Sequence, residues 1–333
     1  MKLTNDTPLV DTFARRVNYL RISVTDRCNL RCRYCAPSMP PPLDRDELLS
    51  LDEISRLVRI GVRLGINKVR LTGGEPLCRR GLAGFIQQLR RFAAIEDISL
   101  TTNGTMLADQ AGELKNAGLR RINISLDTLD RDKFARLTGA DRFDNVWDGI
   151  MTAAQMGFNP IKINTVVMNG FNDDEIEKLA DLSMRYPFHI RFIEYMPIGT
   201  DPHTAERYFL SIADMRGRLK RLGPLIPIAS TRLDGPAQRY RFEGAPGEVG
   251  LIGSMSSHFC GSCNRLRLTA DGYLRPCLLA NDQVDVKTPM RSGASDDVLA
   301  SLFVRAIRQK KGEHRMSFSG DQKLRRKMVS IGG

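Results

Sequence analysis

Between residues 19 and 196 a short strand pattern is followed repeatedly by a helical one, and this rhythm constrains the fold more than any other feature. Strand patterns read near 19–24, 68–72, 97–102, 120–126, 161–167 and 189–196. Helical patterns lie between them near 52–64, 82–93, 107–117, 132–137 with 144–156, and 173–185. Such alternation points to a parallel sheet, because parallel neighbours need a long crossover. Each unit takes roughly 30 residues, the size of one βαβ unit. A complete eight-fold barrel takes ~250 residues, so the spacing predicts an incomplete (β/α)6 barrel of TIM type. A doubly wound sheet is the structural alternative. However, no GxGxxG follows the first strand and no GxxxxGK[ST] occurs anywhere in the chain, which argues against dinucleotide and P-loop sites. Ser50-Leu-Asp-Glu53 reads as a capping box opening the first helix, with Gly65 as its stop.

The rhythm breaks after about residue 220. Gly-Pro pairs interrupt 222–227 and 234–238, short strands read at 239–242 and 249–252, and 298–312 reads helical. A polar, basic stretch, expected to be mobile, follows at 312–327. The expected division is therefore 1–220 and 221–333.

The cysteines fall into two triads and a spare: Cys28, Cys32 and Cys35; Cys78 alone; Cys260, Cys263 and Cys277. The first triad is a CxxxCxxC run directly after the first strand. Fully extended it would span ~24 Å, so the loop must wrap to bring three thiolates to one centre. Iron–sulfur cubes usually take four Cys ligands. Three ligands leave one iron open, and an open metal position is where chemistry happens in zinc sites too. A zinc site would want a fourth Cys or His, and neither lies within twenty residues of this run. A disulfide framework would suit a short secreted chain with an even Cys count. In the second triad His258 is the one local candidate for a fourth ligand. Cys78 has no nearby His or base, so neither ligation nor nucleophilic chemistry is expected of it.

Basic residues outnumber acidic ones by 50 to 38, a net charge of +12. This fits a polyanion, which could be nucleic acid, a membrane surface or a phosphorylated small molecule. No apolar run reaches the ~18 residues of a membrane span, and the N-terminal residues show no apolar signal core, so a cytoplasmic location is expected. Arg21, Arg70, Arg265 and Arg267 are the sharpest anion candidates, since Arg favours bidentate phosphate contacts. Arg265 and Arg267 alternate on one strand and share a face. Lys162 alternates with Ile161 and Ile163, which places it either inside the barrel against an anion or at its rim. Active sites of parallel α/β folds gather at the carboxyl ends of strands. Polar residues there are Gly73-Gly-Glu-Pro76, Thr101-Thr-Asn-Gly104, Ser125-Leu-Asp-Thr128 and the stretch from Glu194 to Met196.

The CxxxCxxC run, with Tyr34 before its last Cys and GGEP one strand later, resembles the radical S-adenosylmethionine (SAM) superfamily. Over nearly the whole chain the sequence is similar to the GTP 3′,8-cyclase family of molybdenum-cofactor biosynthesis. That similarity rests on Leu20-Arg-Ile-Ser-Val-Thr-Asp26 with the first triad, on Arg70-Leu-Thr-Gly-Gly-Glu-Pro76, on Asp234-Gly-Pro-Ala-Gln238, and on the Gly332-Gly333 ending. Its most specific stretch runs from Phe259 to Leu278. Cys78 after GGEP and Ala36 after the third Cys depart from the family pattern.

The resemblance implies a lyase with two [4Fe–4S] clusters and SAM. Cluster I, on Cys28, Cys32 and Cys35, would bind and cleave SAM in the barrel of 1–220, with Tyr34, Gly74, Ser125 and Met196 around the cofactor. Cluster II, on Cys260, Cys263 and Cys277, would hold guanine in the C-terminal extension. Arg21, Arg70, Thr101, Lys162, Arg265, Leu266 and Arg267 match GTP-binding positions, and Arg265, Arg267, Gly332 and Gly333 match catalytic ones. The implied reaction joins ribose C3′ to guanine C8, giving (8S)-3′,8-cyclo-7,8-dihydroguanosine 5′-triphosphate. Implied partners are a flavodoxin- or ferredoxin-type electron donor and a downstream cyclic pyranopterin monophosphate synthase. A monomer or homodimer, without nucleic acid or membrane, is expected. The alternatives are another radical SAM enzyme acting on a peptide or RNA, and a zinc protein binding nucleic acid.

Overall fold

The computed structural model describes residues 8–35, 41–198, 202–229, 231, 235–318, 324 and 326–332. The central strands are β1 (Tyr19–Ser23), β2 (Lys68–Thr72), β3 (Asp97–Thr102), β4 (Arg121–Ser125), β5 (Ile161–Val167) and β6 (Phe188–Glu194). Each pairs in parallel with the next. The connecting helices are α1 (Leu51–Arg63), α2 (Leu82–Arg90), α3 (Leu107–Asn116), α4 (Arg131–Thr138), α5 (Phe143–Gln155) and α6 (Ile176–Arg185). The capping box forms: Glu53 N–H donates to Ser50 Oγ at 3.0 Å and Ser50 N–H to Glu53 Oε2 at 2.7 Å. Such a cap is worth about 0.5–2 kcal/mol. Gly65 ends the turn at φ +88°, where a side chain would be strained.

Period-two alternation divides the strands. Leu20, Ile22, Val69, Leu71, Leu100 and Ile163 point to the helices and are fully buried with Ile54, Leu57 and Val58 of α1. Each such aliphatic side chain contributes about 1.5–3 kcal/mol by leaving water. The opposite face carries Arg21, Arg70, Ser99, Thr101, Asn123 and Lys162 in adjacent registers. Lys68, Arg70, Asp97, Asn123, Lys162 and Arg191, drawn from five consecutive strands, line one cavity of about 250 Å³. The inner faces therefore converge and the sheet curls. A closed eight-stranded barrel fills its lumen with branched apolar side chains. This lumen is polar and cationic, and Lys162 lies inside it at 5% exposure rather than at the rim.

Beyond β6 come α7 (Pro202–Tyr208), α8 (Ile212–Leu219), β7 (Ile226–Ile228), β8 (Gln238–Arg241), β9 (Glu248–Ile252), β10 (Arg265–Leu268), β11 (Tyr273–Arg275), β12 (Val284–Asp285), α9 (Lys287–Arg291), α10 (Asp296–Arg308) and α11 (Met328–Ile331). The extension builds no separate sheet among the described residues. β9 adds in parallel to β6, with β8 and β7 outside it, and β10 adds in parallel to β1, with β11 and β12 outside it. The two added edges bring sequence-distant segments to the same lumen. The expected strands at 239–242 and 249–252 and the helix at 298–312 correspond to β8, β9 and α10, each beginning a residue or two earlier. No described helix is long and apolar enough to cross a membrane.

Candidate active site

The first Cys loop leaves β1 at its carboxyl end and is held from two sides. Arg31 and Arg33 N–H groups donate to Thr138 O at 2.8 Å and Leu137 O at 3.0 Å, at the end of α4. Gly74 and Glu75 N–H groups donate to Thr25 O at 2.8 Å and Arg27 O at 2.7 Å. A Cβ on Gly74 would lie 2.5 Å from Arg27 O, so this glycine is needed for close packing against the Cys loop itself. Glu75 is buried and accepts from Leu77 N–H, Thr102 Oγ1 and Asn103 N–H at 2.6–3.0 Å. Burial, opposed by these donors, raises its carboxyl to about 7. Three more carboxylates tie neighbouring strand ends together. Asp127 accepts from Val166 N–H at 2.8 Å and Tyr34 OH at 2.9 Å, and burial raises it to about 6. Glu175 accepts from Thr128 Oγ1 at 2.6 Å and Leu129 N–H at 2.7 Å. Glu194, fully buried, accepts from Ile212, Met255 and Ser256 N–H groups at 2.7–2.9 Å. It thereby ties the end of β6 to the segment leading into the second Cys triad. A sequence shows acidic residues after strands but not their receiving donors, so these ties were missed.

Burial resists ionisation of all three thiols of the first triad. It raises Cys28, with Glu75 adding to it; it raises Cys32, with Asp127, Cys35 and Cys28 adding to it; and it pushes Cys35 up to about 12, with Cys28 and Asp127 adding to it. Three crowded thiols that resist ionising singly are a donor set suited to a multivalent cation centre. Loading it releases their protons. Leu30 N–H and Asn103 Nδ2 already face Cys28 Sγ at 3.5 and 3.9 Å.

The second triad is electrostatically different. Burial raises the Cys260 thiol. At Cys263 burial is outweighed by Arg265 and Lys310, which bring the thiol down to about 6. Arg265 Nε and Lys310 Nζ each donate to Cys263 Sγ at 3.4 Å. Cys260 O accepts from Arg15 Nη1 at 2.6 Å, and Arg15 also donates to Asp11, Lys311 O and Gly312 O. Arg15 had no signal in the sequence, because its acceptors are mostly backbone carbonyls almost 300 residues away. His258 Nε2 and His314 Nε2 face the carbonyls of Met255 and Ser254 at 2.8 and 2.9 Å. Carbonyls only accept, so both nitrogens carry hydrogens. With Cys260 these imidazoles offer ligand atoms within 4.8 Å of one another. One pocket reaches all three cysteines of this triad together with Met196, Arg265 and Arg267.

Between the two Cys loops Arg21, Arg70, Arg265 and Arg267 sit on adjacent strands of one inner face. Burial, then repulsion from Arg70 and Arg265 against the favourable Tyr19, brings Arg21 down to about 10. Burial, with Arg21 and Arg265 adding to it, holds Arg267 well below the usual range. Such crowding of cations is costly without an anion. The buried Tyr19 OH, Thr101 Oγ1 and Asn123 Oδ1 lack hydrogen-bond partners. A lumen ligand with acceptor oxygens would satisfy the two hydroxyls, and one that also carries an N–H or O–H donor would satisfy the amide oxygen. Leu266 is fully buried in the apolar core beside Leu268, so position 266 can meet a lumen ligand only through its backbone.

The tail enters this space. Met328 of α11 packs against the same small core of Ile198, Leu279 and Met316 as Met196 and Cys277 do, and Val329 N–H faces the Cys35 thiol. Arg267 Nη1 donates to Gly332 O at 2.6 Å. Gly332 adopts φ +67°, and a Cβ there would meet Ser23 Cβ and Thr72 Cγ2 at 3.0 Å each. Gly333, Ala36 and Asp234 lie outside the described residues, as does part of the stretch expected to be mobile. Within that stretch Arg326 is ordered by Asp271 at 2.7 Å. Burial, with Glu75 and Cys28 adding to it, raises the Cys78 thiol to about 11, and the thiol faces Met106 Sδ at 4.0 Å. Cys78→Ser should therefore retain both iron content and turnover, measured by iron assay and product formation. Loss of one cluster's iron would make Cys78 a ligand.

A curled parallel α/β sheet with three thiols beyond its first strand defines the radical SAM class of proteins. The Radical SAM superfamily model matches residues 22–183 and the Molybdenum Cofactor Synthesis C model residues 188–316. Among solved structures, Streptococcus suis SuiB bound to S-adenosylmethionine is similar with TM-score 0.60 and 17% identity. That match covers 79% of this chain and 60% of SuiB, so the chain spans well under two thirds of that protein. Native anSMEcpe with bound AdoMet gives TM-score 0.55 at 15% identity, covering 90% and 82% of the two chains. These likenesses establish the fold. GTP 3′,8-cyclases of Moorella thermoacetica and Heliobacterium modesticaldum are 48% and 46% identical, over 97% and 98% of this chain and 99% and 100% of theirs. The chain belongs to the GTP 3′,8-cyclase family.

Proposed function

We propose that this protein converts GTP to (8S)-3′,8-cyclo-7,8-dihydroguanosine 5′-triphosphate, an early step of molybdenum-cofactor biosynthesis. The observation that carries this reading is the cationic lumen between two three-thiol loops, with the tail reaching from one to the other. The two thiol triads would hold two [4Fe–4S] clusters, which with SAM would supply the one-electron chemistry needed to join ribose C3′ to guanine C8.

The residues divide the work. Cys28, Cys32 and Cys35 hold cluster I in the 1–220 unit, and Tyr34, Gly74, Ser125 and Met196 surround SAM. Cys260, Cys263 and Cys277 hold cluster II in 221–333. Their thiols fit such centres, being crowded in one triad and flanked by cations in the other. Arg21, Arg70, Lys162, Arg265 and Arg267 neutralise the triphosphate and fix its orientation, and Thr101 and the 266 backbone complete the nucleotide contacts. Arg265, Arg267 and the Gly332-Gly333 end position the ribose and guanine for attack. The interior placement of these cations supports a small polyanion over a nucleic acid. The electron comes from a flavodoxin- or ferredoxin-type donor, and the product passes to cyclic pyranopterin monophosphate synthase. A cytoplasmic monomer or homodimer fits this role. The test is anaerobic incubation of reconstituted protein with SAM, a reductant and GTP. Cyclised GTP is expected, and SAM cleavage without any GTP-derived product would reject the reading.

A further inference from the structure

Lys310 is a buried ammonium with an unusual set of partners. It lies just past α10 at 4% exposure. Its Nζ donates to Pro276 O at 2.8 Å, Arg265 O at 3.1 Å and Cys263 Sγ at 3.4 Å. An ammonium has three N–H donors, so these partners use all of them. Among the described residues no carboxylate forms a salt bridge with it. Among those residues, the one ionisable side chain that its Nζ donates to is Cys263. A buried charge is tolerated only when it is paired, and the Cys263 sulfur is the group placed to pair with it. Two of its contacts flank the triad: Pro276 precedes Cys277, and Arg265 follows Cys263 by two residues. One cation therefore spans both halves of the ligand set, from a segment just past α10 that contributes none of the ligands.

We propose that Lys310 is a positioning residue for cluster II, serving as its resident counter-charge and favouring the reduced cluster. The inference rests on Cys260, Cys263 and Cys277 holding that cluster. Cluster potentials follow net charge and hydrogen bonds to sulfur. Adding an electron increases the negative charge beside Lys310, so the ammonium stabilises the reduced state more than the oxidised one. Arg265 also touches Cys263, but it projects from the lumen face and is free to answer to substrate. Lys310 is anchored by two carbonyls.

The test uses the full chain with Cys28, Cys32 and Cys35 replaced by Ala, leaving cluster II as the sole cluster. Iron content and an EPR-monitored redox titration are compared for Lys310→Met and Lys310→Arg. In Lys310→Met the reduced-to-oxidised ratio at a fixed poise should fall on the order of tenfold, the scale of one charge-assisted hydrogen bond, or the cluster should be lost. Lys310→Arg should restore the ratio or the loading towards that of Lys310. Equal behaviour of the two variants, whether both normal or both empty, would overturn the proposal and leave Lys310 as a packing residue. Absence of any cluster when Lys310 is intact would overturn the cluster II assignment as well.

Discussion

Anaerobically reconstituted Cys28→Ala protein should carry about half the iron of the unsubstituted chain and form no 5′-deoxyadenosine from SAM. The two triads are held by separate frames. Cys28 sits in a loop fixed by α4 and by the backbone of Gly74 and Glu75. Cys263 is fixed by Arg265, Lys310 and the carbonyl contacts they make. Loss of one triad should therefore leave the other loaded. Two iron assays distinguish the cases, one on Cys28→Ala and one on Cys260→Ala. Full iron in either variant, or none in both, would contradict two independent clusters.

Removal of Gly332 and Gly333 should leave iron content and SAM cleavage near normal while cutting cyclised product by roughly 10²-fold or more, the scale of lost positioning. The deletion takes away the carbonyl that Arg267 Nη1 meets at 2.6 Å, and a buried guanidinium is left short of an acceptor. It spares Val329, which faces Cys35. Gly332→Val should act in the same direction, because its backbone is left-handed and its Cβ would press on Ser23 and Thr72. A frayed terminus would instead give unchanged product in both variants.

The units from β1 to β6 were legible in the sequence because short apolar-alternating stretches, strict in β1 and β2 and broken only towards the ends of β5 and β6, alternate with helices that carry an apolar face. The same alternation left Lys162, between Ile161 and Ile163, either inside the barrel or at its rim; the isoleucines join the apolar core and Lys162 is buried on the opposite face. The extension was less legible. β10 and β9 are recognisable as strands, but nothing local says that they pair with β1 and β6, since partners such as Tyr19 and Arg265, or His189 and Glu248, are far apart in the chain and leave no periodic trace. The clamps formed by Glu75, Asp127, Glu175 and Glu194 were invisible for a related reason. Their acceptor oxygens serve backbone N–H groups, which every residue has. Arg15 and Lys310 likewise act on carbonyls. The cysteines, by contrast, are a rare residue type set in two close triads. Arg21, Arg70, Arg265 and Arg267 stand out among many arginines only because each lies on a strand pattern, and the structure places those strands side by side.

The central claim is that GTP lies between the two triads with ribose C3′ facing the SAM-derived carbon. The most direct measurement is a single-turnover reaction with GTP deuterated at C3′, followed by mass analysis of the 5′-deoxyadenosine. Transfer of deuterium into 5′-deoxyadenosine, in step with cyclised product, is expected. Unlabelled 5′-deoxyadenosine accompanying the same product would show that hydrogen is taken from elsewhere and would contradict this arrangement of the site.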